Sequence, residues 1–263
     1  MPGMERRHFV SASLAGAAAA VGEGAAQEAK RAQLFELRQY RLRFGPMESR
    51  FAEHAKTALV PALNRAGIAP VGAFTVSIGP DNPSLYLLLP HAHAESLLTL
   101  DERLESDAEY RRVSAAIRAL PPTDPPYERL DSSLMTSFKT MPALKPAGPL
   151  TAGRVAELRR YESPNEPAGR KKIEMFEEAG EIAIFRRLGM TPVFFARNLV
   201  GPRLPALTYM LMFPDVATRE KCWAAFREDP EWVKLRTTPG YSNADILTGN
   251  NVQFLRPADY SQI

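Results

Sequence analysis

The chain repeats itself at long range, and this constrains the fold more than any other feature. Glu36-Leu37-Arg38-Gln39-Tyr40 recurs as Glu157-Leu158-Arg159-Arg160-Tyr161, at an offset of 121. Arg65-Ala66-Gly67-Ile68-Ala69-Pro70-Val71 recurs as Arg187-Leu188-Gly189-Met190-Thr191-Pro192-Val193, and Asp107-Ala108-Glu109-Tyr110 as Asp229-Pro230-Glu231-Trp232, both at 122. The apolar run ending Leu89-Pro90 returns as the run ending Phe213-Pro214, at 124. Matches in one order at a nearly constant offset mark a tandem duplication. The 263 residues therefore divide into two units of similar architecture, 31–139 and 154–260. They are joined by a linker, 140–153, that carries prolines and glycines but no apolar period.

Each unit reads in the same order. In the first, Leu34 to Arg41 alternates as a strand, and Pro46 to Arg65 reads as a helix that Pro61 kinks and Gly67 stops. Val71 to Ile78 is a strand, Gly79-Pro80-Asp81-Asn82-Pro83 a turn and Leu85 to Leu89 a buried strand. Ala94 to Leu104 and Asp107 to Leu120 are helical, and Leu134 to Phe138 closes the unit. A proline cluster, Pro121 to Pro126, has no counterpart in the second unit. The order βαββαβ is the ferredoxin-like arrangement, of class α+β. Strand alternation puts Glu36, Arg38 and Tyr40 on one face, against Phe35 and Leu37. It puts Glu157, Arg159 and Tyr161 opposite Ala156 and Leu158. The helices are expected to cover Phe35, Leu37 and Leu158, turning the polar face to solvent or to the other sheet. Two such sheets closing on one another give a single-chain version of the dimeric α/β barrel.

The N-terminus reads as an address. Arg6-Arg7 stand before a weakly apolar run from Phe9 to Val21, followed by Gly24-Ala25-Ala26. That order is a secretory signal peptide's, and the paired arginines resemble the twin-arginine signal. Removal of residues 1–26 and export to the periplasm or beyond are expected. No later run reaches the ~18 apolar residues that span a bilayer, so no transmembrane segment is expected in the mature chain.

A formal net charge of +3 with interspersed signs lacks the basic patch of a nucleic-acid binder. The one cysteine, Cys222, rules out an intrachain disulfide and zinc sites built from several thiolates. Beside Trp223 and Phe226 it is expected to be buried. No phosphate loop, nucleophile elbow or His-Glu-x-x-His occurs.

The repeated Glu-Leu-Arg-x-Tyr strand, the Arg-x-Gly-x-x-Pro-Val segment and the acidic-x-Glu-aromatic motif resemble those of the NIPSNAP family, over roughly residues 33–139 and 154–256. Trp232 fits the family's last motif position, and Tyr110 departs from it conservatively. The resemblance implies the dimeric α/β-barrel fold. Known members include mitochondrial proteins with trafficking and signalling roles, and no established reaction comes with the family.

Two constellations carry chemistry. Arg38 and Arg159 suit a carboxylate held bidentately, with Tyr40 and Tyr161 as hydroxyl donors. The same residues also read as structural ion pairs, Glu36–Arg38 and Glu157–Arg159. His54 falls on the inward helix face, and its counterpart, counted from the Gly67–Gly189 match, is Phe176. It reads as a general base, a haem ligand or a core histidine. No second ligand stands at i+3 or i+4 of His54, so no metal site is expected. His91-Ala92-His93 more readily opens a helix in solvent than chelates. The functional expectation is an exported module that binds a small molecule or a protein partner, with no cofactor. The alternative is an enzyme acting on a small aromatic or acidic substrate, either a cofactor-independent monooxygenase or a haem-dependent oxidoreductase. A homo-oligomer stays open. The copies are unequal, with His54 set against Phe176 and Tyr110 against Trp232, which places any pocket in the first unit.

Overall fold

The computed structural model describes residues 32–149 and 151–263; the expected export signal lies outside the described residues. Eight strands close into one antiparallel barrel: β1 (Leu34–Arg41), β2 (Gly72–Ile78), β3 (Ser84–His91), β4 (Arg129–Ser137), β5 (Val155–Glu162), β6 (Thr191–Val200), β7 (Ala206–Phe213) and β8 (Gly249–Pro257). Their order around the barrel is β1-β3-β2-β8-β5-β7-β6-β4. The first half thus supplies β4-β1-β3-β2 and the second β8-β5-β7-β6. The halves are sewn together by two seams, β2–β8 and β4–β6. Closure removes the unpaired edges that each four-stranded sheet would otherwise expose.

Helices pack outside. The first half carries α1 (Pro46–His54), a π-helical turn (Ala55–Leu59), α2 (Val60–Arg65), α3 (Ala94–Leu98), α4 (Leu100–Ser106) and α5 (Ala108–Arg118). The second carries α6 (Glu166–Glu177), α7 (Glu181–Arg187), α8 (Val216–Glu228), α9 (Pro230–Thr237) and α10 (Asn243–Ile246). The helix expected over 46–65 thus continues through a π turn instead of a simple kink. Pro61 has no N–H to give, and the widened turn just before it absorbs the missing bond. His54 is the last residue before that turn.

The expected sides of the first strand of each unit are exchanged. Phe35, Leu37 and Leu158 point into the barrel, where they meet Phe74, Leu88, Met135, Phe194, Met210 and Leu255. Tyr40 and Tyr161 lie under the helices, against Phe51 and Phe176 respectively. Alternation defines two faces without saying which is inner. The closed interior has room for interdigitated apolar side chains, whereas the charged pairs need the polar partners that the helices and neighbouring strands bring. β3 and β7 are buried at every position, so their apolar runs carry no sidedness at all.

The two ends of the barrel differ. One is stoppered by Leu144, from the segment between the halves, and by the C-terminal Ile263. The Leu144 amide donates to Gln33 Oε1 at 3.0 Å and the Lys145 amide to the Val193 carbonyl at 3.0 Å. The supposed linker is therefore docked against both halves and is no free spacer. The other end is polar and open.

Candidate functional site

In the first half a cleft of about 330 Å3 opens between the sheet and its helices. Arg38 and Tyr40 of β1 form its floor, and Phe51, His54 and Leu59 its wall along α1 and the π turn. Asp101 and Tyr110 come from α4 and α5, and Tyr127 from the proline-rich segment before β4. The structure thus brings together the three first-unit candidates, Arg38, Tyr40 and His54. Tyr40, Phe51 and Tyr127 interlock, with ring centroids 4.7–5.6 Å apart, at tilted and edge-on angles that favour aromatic contact.

Glu36 orients Arg38. Arg38 Nε donates to Glu36 Oε1 at 2.7 Å, and Ser132 Oγ donates to the same oxygen at 2.8 Å. His91 Nε2 stands 3.6 Å from Glu36 Oε2, at the edge of hydrogen-bond reach. Burial pushes the Glu36 carboxyl upward; His91, Arg38 and Ser132 outweigh it and hold its pKa at about 2. Burial also opposes the charge on Arg38, but Tyr40 and Glu36 more than compensate, so its pKa is raised. Glu36 and Arg38 thus form an ion pair, and the pair leaves room for a ligand on the outer nitrogens. With Nε fixed on Glu36, the terminal nitrogens of the guanidinium are left toward Tyr40 and, at 3.8 Å, Asp101.

His54 is half-buried beside Phe51 and Tyr110, with ring centroids 5.8 and 6.0 Å away. Burial, aided by Arg118, lowers its pKa from 6.5 to about 4. Among the described hydrogen bonds none involves either His54 nitrogen, or the hydroxyls of Tyr110 and Tyr127. The cleft therefore holds a neutral imidazole and two phenols with bonding capacity to spare. Because protonation favours the unfolded chain, the stability that neutral His54 contributes is complete above about pH 6.5 and lost as pH falls toward 4. Nitrogen-15 NMR of the His54 ring should show a midpoint near pH 4, and His54→Phe should flatten the acid decline in that window. A midpoint near 6.5 would mean the ring is solvated.

The second half fills the corresponding space with its own side chains. Ala73 paired with Leu87 in the first half corresponds to Phe195 paired with Tyr209 in the second. Aligning α1 and α6 on their N-terminal prolines, Pro46 and Pro167, matches Phe51 with Lys172 and Ala55 with Phe176, all four buried. On that alignment the counterpart of His54 is Met175, whereas counting from the Gly67–Gly189 match gives Phe176. Phe176, Phe185, Phe195 and Tyr209 then stack within 5.2–6.2 Å of one another. Arg159 is engaged throughout: Nε on Glu157 at 2.6 Å, Nη1 on Tyr161 Oη at 3.1 Å, and its plane 3.9 Å over Trp223. Glu157 also accepts from Arg219 Nε at 2.8 Å and from Trp223 Nε1 at 2.7 Å. Arg159 and Tyr161, matched by sequence with Arg38 and Tyr40, are here engaged with one another and with Glu157 and Trp223.

His91 is fully buried, bonded through Nδ1 to Ser96 Oγ at 3.0 Å, while His93 caps α3 by accepting the Ser96 N–H at 3.2 Å. The solvent placement expected for the pair holds for His93 alone. Cys222 is buried, as expected. Among the described residues no group of three His, Cys, Asp or Glu could hold a metal. Sequence reasoning missed Tyr127, which lies in the unmatched proline cluster, and Lys172, whose sequence shows an ordinary helix lysine.

A family model described as NIPSNAP matches the chain twice, over residues 35–124 and 156–262. No curated protein matches it. Among solved structures, a candidate monooxygenase of Fusobacterium nucleatum is similar over 86% of this chain and 93% of its own, with 10% identity and a TM-score of 0.58. A candidate monooxygenase of Lactobacillus acidophilus is similar over 86% of this chain and 94% of its own, with 8% identity and a TM-score of 0.56. An uncharacterised NIPSNAP-like domain protein of Burkholderia xenovorans is similar over 43% of this chain and 92% of its own, with 20% identity and a TM-score of 0.38.

Proposed function

The chain belongs to the NIPSNAP family, and from that premise we propose that it binds one small acidic aromatic molecule in the first-half cleft. The observation that carries this reading is the inequality of the two copies. One arginine has its outer nitrogens at an aromatic-walled opening, while its twin is stacked on Trp223 and bonded to Tyr161. A ring would lie among Phe51, Tyr110 and Tyr127, and its carboxylate or phenolate would meet the fork of Arg38. The volume, about 330 Å3, lies at the small end of ligand sites and suits one or two rings. A porphyrin exceeds it, so haem is no part of this reading.

Calorimetric titration of the full chain with 4-hydroxybenzoate and 1-naphthoate tests the reading. The expected result is one molecule bound per chain, with binding abolished by His54→Trp, which brings an indole into the opening. Failure of both acids to bind, or binding unaffected by His54→Trp, would overturn it.

A catalytic version rests on neutral His54. An imidazole with a pKa of about 4 is a weak base, so it would accept a hydrogen bond from a ligand hydroxyl beside Arg38 and take the proton only from a strongly acidified one. The fold shared with proteins named as candidate monooxygenases points to oxygen chemistry only by analogy. In the same proposal, 31–139 and 154–260 are copies of one ferredoxin-like unit, and residues 1–26 direct export. Among the described residues no helix is long and apolar enough to cross a membrane.

A further inference from the structure

The open end of the barrel encloses a second space, of about 560 Å3, on the opposite side of the sheet from the cleft. The turn Gly79-Pro80-Asp81-Asn82-Pro83, between β2 and β3, recurs as Gly201-Pro202-Arg203-Leu204-Pro205, between β6 and β7. Asp81 and Arg203 both take left-handed φ, 62° and 59°. Each turn reaches across a seam onto the last strand of the other half. A Cβ on Gly201 would stand 2.6 Å from Ser133 Oγ, and one on Gly79 3.2 Å from Gln253 Cγ. With φ of 140° at Gly201 and 154° at Gly79, any side chain at these positions would be strained. The mouth is thus built by both copies, around the axis that relates them.

Its charges are already matched. Arg41 is bonded to Asp81 and, at 2.8 Å, to Asp131. Glu162 takes Arg160 at 3.2 Å and Arg203 at 3.4 Å. Three guanidinium groups face three carboxylates, leaving no excess charge to draw an ion. What remains unspent is neutral. Gln253 is only 7% exposed, and its Oε1 is buried without a partner; a buried acceptor in that state calls for a donor. Thr208 donates to Asn198 Oδ1 at 2.8 Å, and among the described hydrogen bonds none uses the Asn198 amide hydrogens. Leu37, Leu158 and the ring of Tyr86 form an apolar side to the same space.

We propose that the barrel mouth is a second binding site, for an uncharged, hydroxyl-rich molecule: a saccharide or polyol. Such molecules carry hydroxyls that donate and accept at once, which is what an unpaired amide oxygen beside free amide hydrogens can take. Their C–H faces pack on an aromatic ring and leucines. This site is separate from the aromatic-acid cleft, and neither proposal depends on the other.

Saturation-transfer NMR of the full chain with glucose, maltose and sorbitol tests it. The expected result is transfer to at least one of the three, undiminished by saturating 4-hydroxybenzoate and weakened at least tenfold in Gln253→Leu. Asn251→Leu, at the half-exposed rim, provides a second variant should Gln253→Leu fail to fold, and it should weaken binding severalfold. Transfer to none of the three would overturn the proposal, as would transfer unchanged in both variants or displacement of the sugar by inorganic sulfate.

Discussion

Replacing Lys172 with alanine is expected to lower the unfolding free energy by about 3–5 kcal/mol. Lys172 is 1% exposed and its ammonium lies 2.9 Å from Glu181, itself 2% exposed. Phe176 holds the same ammonium 4.6 Å from its ring centre. Taking away the lysine strands a carboxylate that burial already pushes above its usual range. A group whose pKa is raised by folding stabilises the fold below its unfolded pKa and loses that contribution as pH rises. The Lys172→Ala variant should therefore regain stability as pH is lowered toward 5. Urea denaturation at several pH values measures both effects. The double variant Lys172→Met/Glu181→Leu removes the pair altogether and should unfold within about 1 kcal/mol of the parent or later, since apolar replacements of buried pairs are often neutral or stabilising. A single variant as stable as the parent would show that the pair is hydrated and that the second cleft is not sealed.

The second large effect falls on Arg38. Arg38→Ala is expected to weaken an aromatic carboxylate by roughly 10- to 150-fold, the worth of a charge-assisted bond of about 1.5–3 kcal/mol. It should also destabilise the fold, because Glu36, only 5% exposed, loses its closest cationic partner. Arg38→Lys keeps the charge but not the fork and should recover only part of the affinity. Arg159→Ala should cost stability while leaving affinity alone, because Trp223 and Tyr161 already cover that arginine. Equal losses of affinity in Arg38→Ala and Arg159→Ala would refute the division of roles between the two copies.

The repeated motifs made the barrel legible from sequence, because two four-stranded sheets leave edges that mutual closure removes. The strand alternation named the residues that share a face but not which face is inner. Glu36 and Glu157 are charged and yet 5% and 0% exposed, and their compensation by His91, Ser132, Arg219 and Trp223 comes from remote segments that no local pattern announces. Arg38 and Tyr40 stand out by strand alternation within the repeat and His54 by its helix face, and the fold places all three on one cleft. Tyr127 was not, because its segment has no copy to be compared with. Counting from the glycines and counting from the helix prolines give His54 different counterparts, Phe176 and Met175, because the two copies differ in length between those anchors. In the sequence only Gly79–Pro83 reads as a hairpin turn; the repeat of the barrel-mouth turns shows when it is laid beside Gly201–Pro205.

The two seams, β2–β8 and β4–β6, join halves encoded on one polypeptide. In a barrel assembled from two identical chains, every substitution is made twice, and a phenylalanine that plugs one cleft plugs both. Joining the halves covalently lifts that rule. Phe176, Phe195 and Tyr209 could accumulate on one side as a rigid buttress while Ala55, Ala73 and Leu87 kept the other side hollow. On the proposed function such a barrel is expected to saturate at a single equivalent of ligand without cooperativity, one of its two cleft positions being filled by side chains.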